Sequence, residues 1–269
     1  MKKSVSLHRE LNMTFLKMKK TMRFLALVAM SAGLMMAGCE KEETGGSTDG
    51  GNNNGGGNNG GGSSTNAEWI DLGLPSGLLW ASCNVGASAP EEYGDYFAWG
   101  ETTAKDVYEW NNYRYCTVDG DGKLSTLTKY NTSTTYGTVD NLTTLEAVDD
   151  AATANMGGGA RTPTHDEWQE LMNNTNSEWT TLNGVNGRRL TSTINVNSIF
   201  LPAASYRTGS EDLIGAGYMG RYWSSSLNAD HPPLSLRGAY SFYIYSDGQR
   251  MNDDRYRYCG LSVRAVRQN

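Results

Sequence analysis

The chain has 269 residues, with 23 Lys and Arg against 29 Asp and Glu and a formal net charge of −6. From residue 67 onward the imbalance grows to fifteen basic against twenty-four acidic groups, which excludes nucleic acid as a partner because phosphate contacts need a basic footprint. Those 203 residues suffice for one sizeable core.

Residues 1–39 read as an export segment and not as part of a fold. Lys17, Lys19, Lys20 and Arg23 make a basic start, and Phe24 to Ala37 is an apolar run of fourteen residues. That run is too short to cross a hydrocarbon layer of roughly 30 Å. Met18 or Met22 is the expected start, since the residues before them are surplus to the signal. The run ends Leu34-Met35-Met36-Ala37-Gly38-Cys39, which resembles the bacterial lipobox. The resemblance implies a lipid on Cys39, which becomes the mature N-terminus and fastens the chain to a membrane. Glu40-Lys41-Glu42-Glu43 resembles the acidic export signal of Bacteroidetes lipoproteins, which implies display on the outer face of the outer membrane.

Residues 40–66 are the expected tether. Thr44 to Asn66 is almost wholly Gly, Asn, Ser and Thr and cannot bury enough to offset ordering entropy. A disordered linker of that length spans roughly 25–30 Å.

The domain occupies 67–269 and reads as α+β, strand-rich, with one or two short helices. Pro75-Ser76-Gly77 is a turn between strands over 68–72 and 78–83. The pattern predicts an aromatic strand over 93–101 and a hairpin turn at Asp119-Gly120-Asp121-Gly122. That turn fails the EF-hand pattern, because Lys123 and Leu124 stand where an oxygen ligand and a Gly are needed. A short helix is expected over Asp149–Ala154, ended by Gly157-Gly158-Gly159. A clearer one begins at Thr164, which with Glu167 makes a capping box, and ends near Asn173-Asn174 with Trp168, Leu171 and Met172 facing the core. Strands over 188–194 and 198–201 follow.

Residues 220–269 carry seven Arg, four Asp and no Lys. In Tyr240 to Tyr245, Phe242 and Ile244 share a side with Tyr240, and Ser241, Tyr243 and Tyr245 take the other. Ser246-Asp247-Gly248 is a turn, and Leu261, Val263 and Ala265 share one face of a final strand. Tyr gives large contact area at low entropy cost, and Ser, Gly and Asn give adaptable hydrogen bonding. The expected contact face is Tyr222, Asp230, His231, Tyr240, Tyr243, Tyr245, Asp247, Asn252, Asp253, Tyr256 and Tyr258. Trp223 is the first place to look for stacking against a ligand ring, although the tryptophans as a set belong to the core.

Several stretches together resemble the Fibrobacter succinogenes major paralogous domain of Bacteroidetes lipoproteins. They include Asp71-Leu72-Gly73-Leu74-Pro75-Ser76-Gly77, Glu92 to Thr102, Arg161-Thr162-Pro163-Thr164, Phe200-Leu201-Pro202-Ala203-Ala204, Tyr222-Trp223-Ser224-Ser225-Ser226 and Ser262-Val263-Arg264. The resemblance covers about 69–267 and implies a C-type-lectin-like fold whose N- and C-terminal strands meet and whose irregular half forms a ligand surface. The C-terminal block also resembles C-type-lectin-like proteins diversified by retroelements. Rewriting adenines in an Asn codon yields neither Lys nor Glu, and residues 227–259 contain neither while keeping four Asp.

Enzymatic readings find little support. The sulfatase-modifying relatives of that fold need paired reactive cysteines, and Cys259 stands alone. Cys83, Cys116 and Cys259 lack CxxC spacing, which disfavours zinc and leaves one disulfide with a free thiol or three free thiols. Calcium-dependent sugar binding of the C-type-lectin kind uses a Pro loop that is missing here; Asn252, Asp253 and Asp254 offer oxygens for Ca²⁺, but a turn of solvated acids is the favoured reading. Asp149-Asp150 is a helix-start acidic pair. No cofactor and no metal are expected. The sequence points to a surface-anchored, non-enzymatic binding module for an external protein or glycan; a structural envelope or adhesin-tip component is the alternative.

Overall fold

A computed structural model describes residues 67–210, 213–229 and 234–269, with the backbone alone at 234, 235 and 252–254. Cys39, the tether, Asp230 and His231 lie outside the described residues, as do the side chains of Asn252 and Asp253.

Eleven strands and two α-helices appear among the described residues, so the chain is α+β and strand-rich. β1 (Trp69–Asp71) and β2 (Leu79–Asn84) pair antiparallel across the expected turn, where Gly77 N donates to Leu74 O at 2.9 Å. β11 (Arg264–Arg267) takes the other side of β2, so the first and last strands meet in one sheet. β3 (Cys116–Val118) and β4 (Leu124–Leu127) form the hairpin around Asp119-Gly120-Asp121-Gly122.

β5 (Thr175–Leu182), β6 (Val185–Ser192) and β7 (Ser198–Pro202) make a second three-stranded sheet. β5 is a polar strand that the sequence pattern did not reveal. Its signal is the Asn183-Gly184 pair, with φ of 47° and 84°, the backbone that a tight hairpin requires. β8 (Met219–Leu227), β9 (Gly238–Tyr245) and β10 (Gly248–Tyr256) form the third, with β9 central.

The short helix α1 (Ala151–Met156) is capped by Asp150, whose carboxylate accepts from Ala152 N and Thr153 N. In α2 (His165–Asn173) the capping box forms: Thr164 Oγ1 accepts from Glu167 N and Glu167 Oε2 accepts from Thr164 N. Trp168 and Leu171 are buried as expected, and Met172 is partly so.

The expected strand over 93–101 does not form. Gly94 and Gly100 take φ of 69° and 82°, and a Cβ at Gly94 would lie 2.4 Å from Val85 O. The segment loops, with one bridge from Phe97 to Leu261, and its aromatic run marks burial of Tyr96, Phe97 and Trp99.

Strand alternation sends the neighbours Tyr222 and Trp223 to opposite faces of β8, one into each of two cores. In the first, the Trp168 ring stacks on Phe242 at 4.6 Å and 11°, with Trp80 4.9 Å away. Such pairs add about 1 kcal/mol beyond the area they bury. Arg264, wholly buried, joins three elements: Nε donates to Asn84 Oδ1, Nη1 to Ala81 O and Ser82 O, and Nη2 to Phe200 O, all within 2.7–3.0 Å.

A candidate recognition face on the C-terminal sheet

The register of the third sheet aligns Arg221, Tyr243 and Arg250 across its three strands. Phe242 and Ile244 point into the core, so Tyr243 and Tyr245 stand on the other side, half-buried. The Arg221 guanidinium lies 4.3 Å from the Tyr243 ring centroid, and that of Arg250 5.6 Å. Tyr245 stacks on Tyr243 at 5.0 Å and 25°.

A parallel bridge from Ser205 to Gly220 brings Tyr206 beside the row. Its ring lies between Arg221, at 5.7 Å, and Arg255, at 4.7 Å. The result is a continuous row, Tyr245–Tyr243–Arg221–Tyr206–Arg255. Each cation–π contact is worth about 0.5–1 kcal/mol where solvent reaches it, so the rings hold one another in place.

Further along β10, Tyr256 is 46% exposed and stacks on Tyr258 at 5.7 Å and 29°. The Trp110 ring meets Tyr258 at 4.9 Å and Tyr256 at 6.0 Å. Arg188 of β6 braces the β9–β10 turn: Nε donates to Tyr245 O and Nη2 to Ser246 O, both at 3.1 Å. Asp247 is exposed in that braced turn.

From the expected face the structure pairs Tyr243 with Tyr245 and, at the other end of the β9–β10 ladder, Tyr256 with Tyr258, and it separates others. Tyr222 is 0% exposed, and its hydroxyl donates to Pro202 O at 2.6 Å, so it belongs to the core. Tyr240 emerges on the opposite side of β9, its ring 4.5 Å from that of His165. Trp223 is buried, with Nε1 donating to Phe97 O at 2.7 Å, so a ligand ring cannot stack on it. Tyr206, Arg221, Arg250, Arg255 and Trp110 were missed. The Tyr-Arg pairs along 255–258 were the available signal for Arg255, while Tyr206 and Trp110 arrive through tertiary contacts.

Burial also limits where this block could vary. Leu236, Phe242, Ile244, Arg257 and Cys259 are interior. Arg257 Nη2 donates to Tyr130 O at 2.8 Å, holding a residue with φ of 58°. Exchange without loss of the core is confined to outward positions such as Tyr243, Arg250 and Tyr256.

Other polar groups are engaged in the fold. Burial alone would raise the Asp149 carboxyl, but hydrogen bonds from Lys129, Tyr115 and Tyr130 outweigh it and hold it below its ordinary value. Asp150 accepts from Thr162 N and Thr162 Oγ1 besides capping α1. A cleft of about 410 Å³ opens beside Asp150, Arg161, Thr164 and Ser225. Within it Arg161 is paired with Glu167, and Thr164 caps α2.

Cys83, Cys116 and Cys259 are all free thiols. Burial raises all three, Cys116 and Cys259 to about 11, so none is an activated thiolate near neutral pH. Among the described residues no cluster of three or more His, Cys, Asp or Glu is placed to hold a metal ion. No helix among them is long and apolar enough to cross a membrane. Comparison with family models, curated proteins and solved structures returns no match.

Proposed function

We propose that the chain is a surface-tethered binding module, lipidated at Cys39, displayed outside the outer membrane on the 40–66 tether, and built on a C-type-lectin-like plan. Its contact surface is the outward side of the β8–β9–β10 sheet with the Trp110, Tyr256 and Tyr258 cluster, and its partner is an external protein or glycan. The observation that carries the reading is the row Tyr245–Tyr243–Arg221–Tyr206–Arg255, in which a buried Arg221 guanidinium props the half-buried rings of Tyr243 and Tyr206 and Arg188 braces the adjoining turn. Interface cores are enriched in Tyr, Trp and Arg and depleted in Lys, the composition found here. Stacking before binding lowers the entropy lost on contact.

The test replaces Tyr243, Arg250 and Tyr256 together by Ser and screens parent and variant against arrayed glycans and displayed extracellular proteins. The reading predicts partners that the parent binds and the variant does not, with the variant still folded by circular dichroism and its thermal midpoint lowered only by the lost ring contacts. Partners that bind both equally would refute this surface. Recovery of only a stoichiometric envelope component would favour the structural role instead.

A further inference from the structure

The connection between β6 and β7, Thr193 to Asn197, departs from the usual chemistry of a surface turn. Ile194 is 56% exposed and Val196 is 80% exposed. Val196 also has φ of 61°, a left-handed conformation that a β-branched side chain strongly disfavours and that Gly or Asn ordinarily fills. A strained backbone that displays an apolar side chain is a pointer to function, because the same turn with Gly would be more stable.

The turn is held rigidly. Ser192 Oγ accepts from Ile194 N at 3.0 Å and Asn195 N at 3.3 Å, and donates to Leu72 O at 2.6 Å. Asn195 Nδ2 and Asn197 Nδ2 both donate to Asp71 O, at 2.9 and 2.7 Å. Thr193 N donates to Asn174 O at 3.0 Å. The two apolar side chains are therefore presented on a fixed platform.

The platform is the end of β1. Asp71 stands four residues beyond Ala67, where the tether joins the fold. Four extended residues cover about 13 Å, so the tip lies at the anchor-proximal end of the chain. On the sequence reading of residues 40–66 as a Gly- and Asn-rich tether, 27 such residues would reach about 26–31 Å and would hold this end near the lipid surface.

We propose that Ile194 and Val196 form a membrane-contact knob that seats the domain on the lipid surface to which Cys39 is fastened. The inference rests on the lipoprotein reading above. The knob's own polar residues, Thr193, Asn195 and Asn197, are neutral, and Asp71, whose carbonyl holds the turn, is an acid and not a base. Docking is therefore driven by apolar burial and needs no anionic lipid. Seating this end inward leaves the domain in a defined orientation, where a free tether would leave it tumbling.

The test uses the chain from Cys39 onward, which holds the entire described fold, coupled through the Cys39 thiol to a maleimide lipid in zwitterionic phosphatidylcholine vesicles. Cys116, only partly buried, is replaced by Ser, and the buried Cys83 and Cys259, their thiols raised by burial, react far more slowly. Amide hydrogen exchange over 192–197 is compared between the vesicle-coupled chain and the same chain capped at Cys39 with a soluble maleimide. The expected result is at least tenfold slower exchange on vesicles, at low and at high salt alike, abolished by Ile194→Ser with Val196→Asn. Val196→Gly is expected to raise the thermal midpoint while weakening the protection. Equal exchange on and off vesicles, or protection unchanged in the double variant, would overturn the proposal. The mass of the protein from expressing cells tests lipidation of Cys39 separately, so either idea can fail alone.

Discussion

Arg264→Met is the substitution whose cost follows most directly from the structure. The guanidinium is fully buried and donates to four oxygens, on Asn84, Ala81, Ser82 and Phe200. These lie on β2 and β7, while Arg264 opens β11, so one side chain ties three strands. Methionine fills similar volume but withdraws the guanidinium donors from four acceptors, three of them in buried bonds. A buried unsatisfied group costs about 1–3 kcal/mol. Removing the cation also removes its desolvation penalty, which burial expresses as a lowered guanidinium pKa. The net expectation is about 3–5 kcal/mol, a large part of the roughly 5–15 kcal/mol of a whole domain. Arg264→Lys recovers only part of this, because one ammonium cannot span the four acceptors. Urea unfolding of parent and both variants, followed by circular dichroism, measures the differences. A cost under about 1 kcal/mol for Arg264→Met would refute the claim that this residue locks the sheet.

Other outcomes follow from particular groups. Asp149 has a folded-state pKa below its ordinary 3.8, so its contribution is present above pH 4 and fades as pH falls below that; Asp149→Asn should flatten the acid limb of a stability–pH curve. Lys129 is shifted the other way, raised by Asp149 and Glu146 against the opposing effect of burial, so its contribution holds below about pH 10.5 and is lost above it. Thr164→Ala removes the α2 cap and should cost about 1 kcal/mol in the same urea assay. A Cβ at Gly187 would stand 2.3 Å from Leu201 O and 2.9 Å from Pro202 Cα, so Gly187→Ala should lower the thermal midpoint by several degrees or prevent folding. In the native state Cys83 and Cys259 should resist a thiol reagent that modifies all three domain cysteines after unfolding.

The elements that could be read from sequence were those with local causes. Thr164 and Glu167 satisfy each other's backbone, so the start of α2 needs no tertiary information. The turn at Ser246-Asp247-Gly248 and the alternation of Phe242 and Ile244 likewise fixed the β9–β10 hairpin and its buried side. What failed depended on distant contacts. Residues 93–101 look like a strand because aromatics recur, yet their rings are spent on the core and two left-handed glycines break the ladder. Tyr222 and Trp223 look like the head of a polar surface block but are its interior support. Three of the five members of the stacked row come from outside the expected face: Tyr206 through a bridge to Gly220, Arg221 because β8 lies against β9, and Arg255 from β10. Exposed and buried tyrosines have the same letter, and only packing separates Tyr243 from Tyr222.

The central claim is that the outward tyrosine–arginine row is the surface that meets a partner. It is tested most directly by amide exchange and surface labelling of the parent with each partner recovered from the screen. The account predicts protection centred on Tyr206, Tyr243, Tyr245, Arg250 and Tyr256, with the Tyr240–His165 side unchanged. Protection confined to that opposite side, or to the cleft beside Asp150 and Arg161, would contradict it.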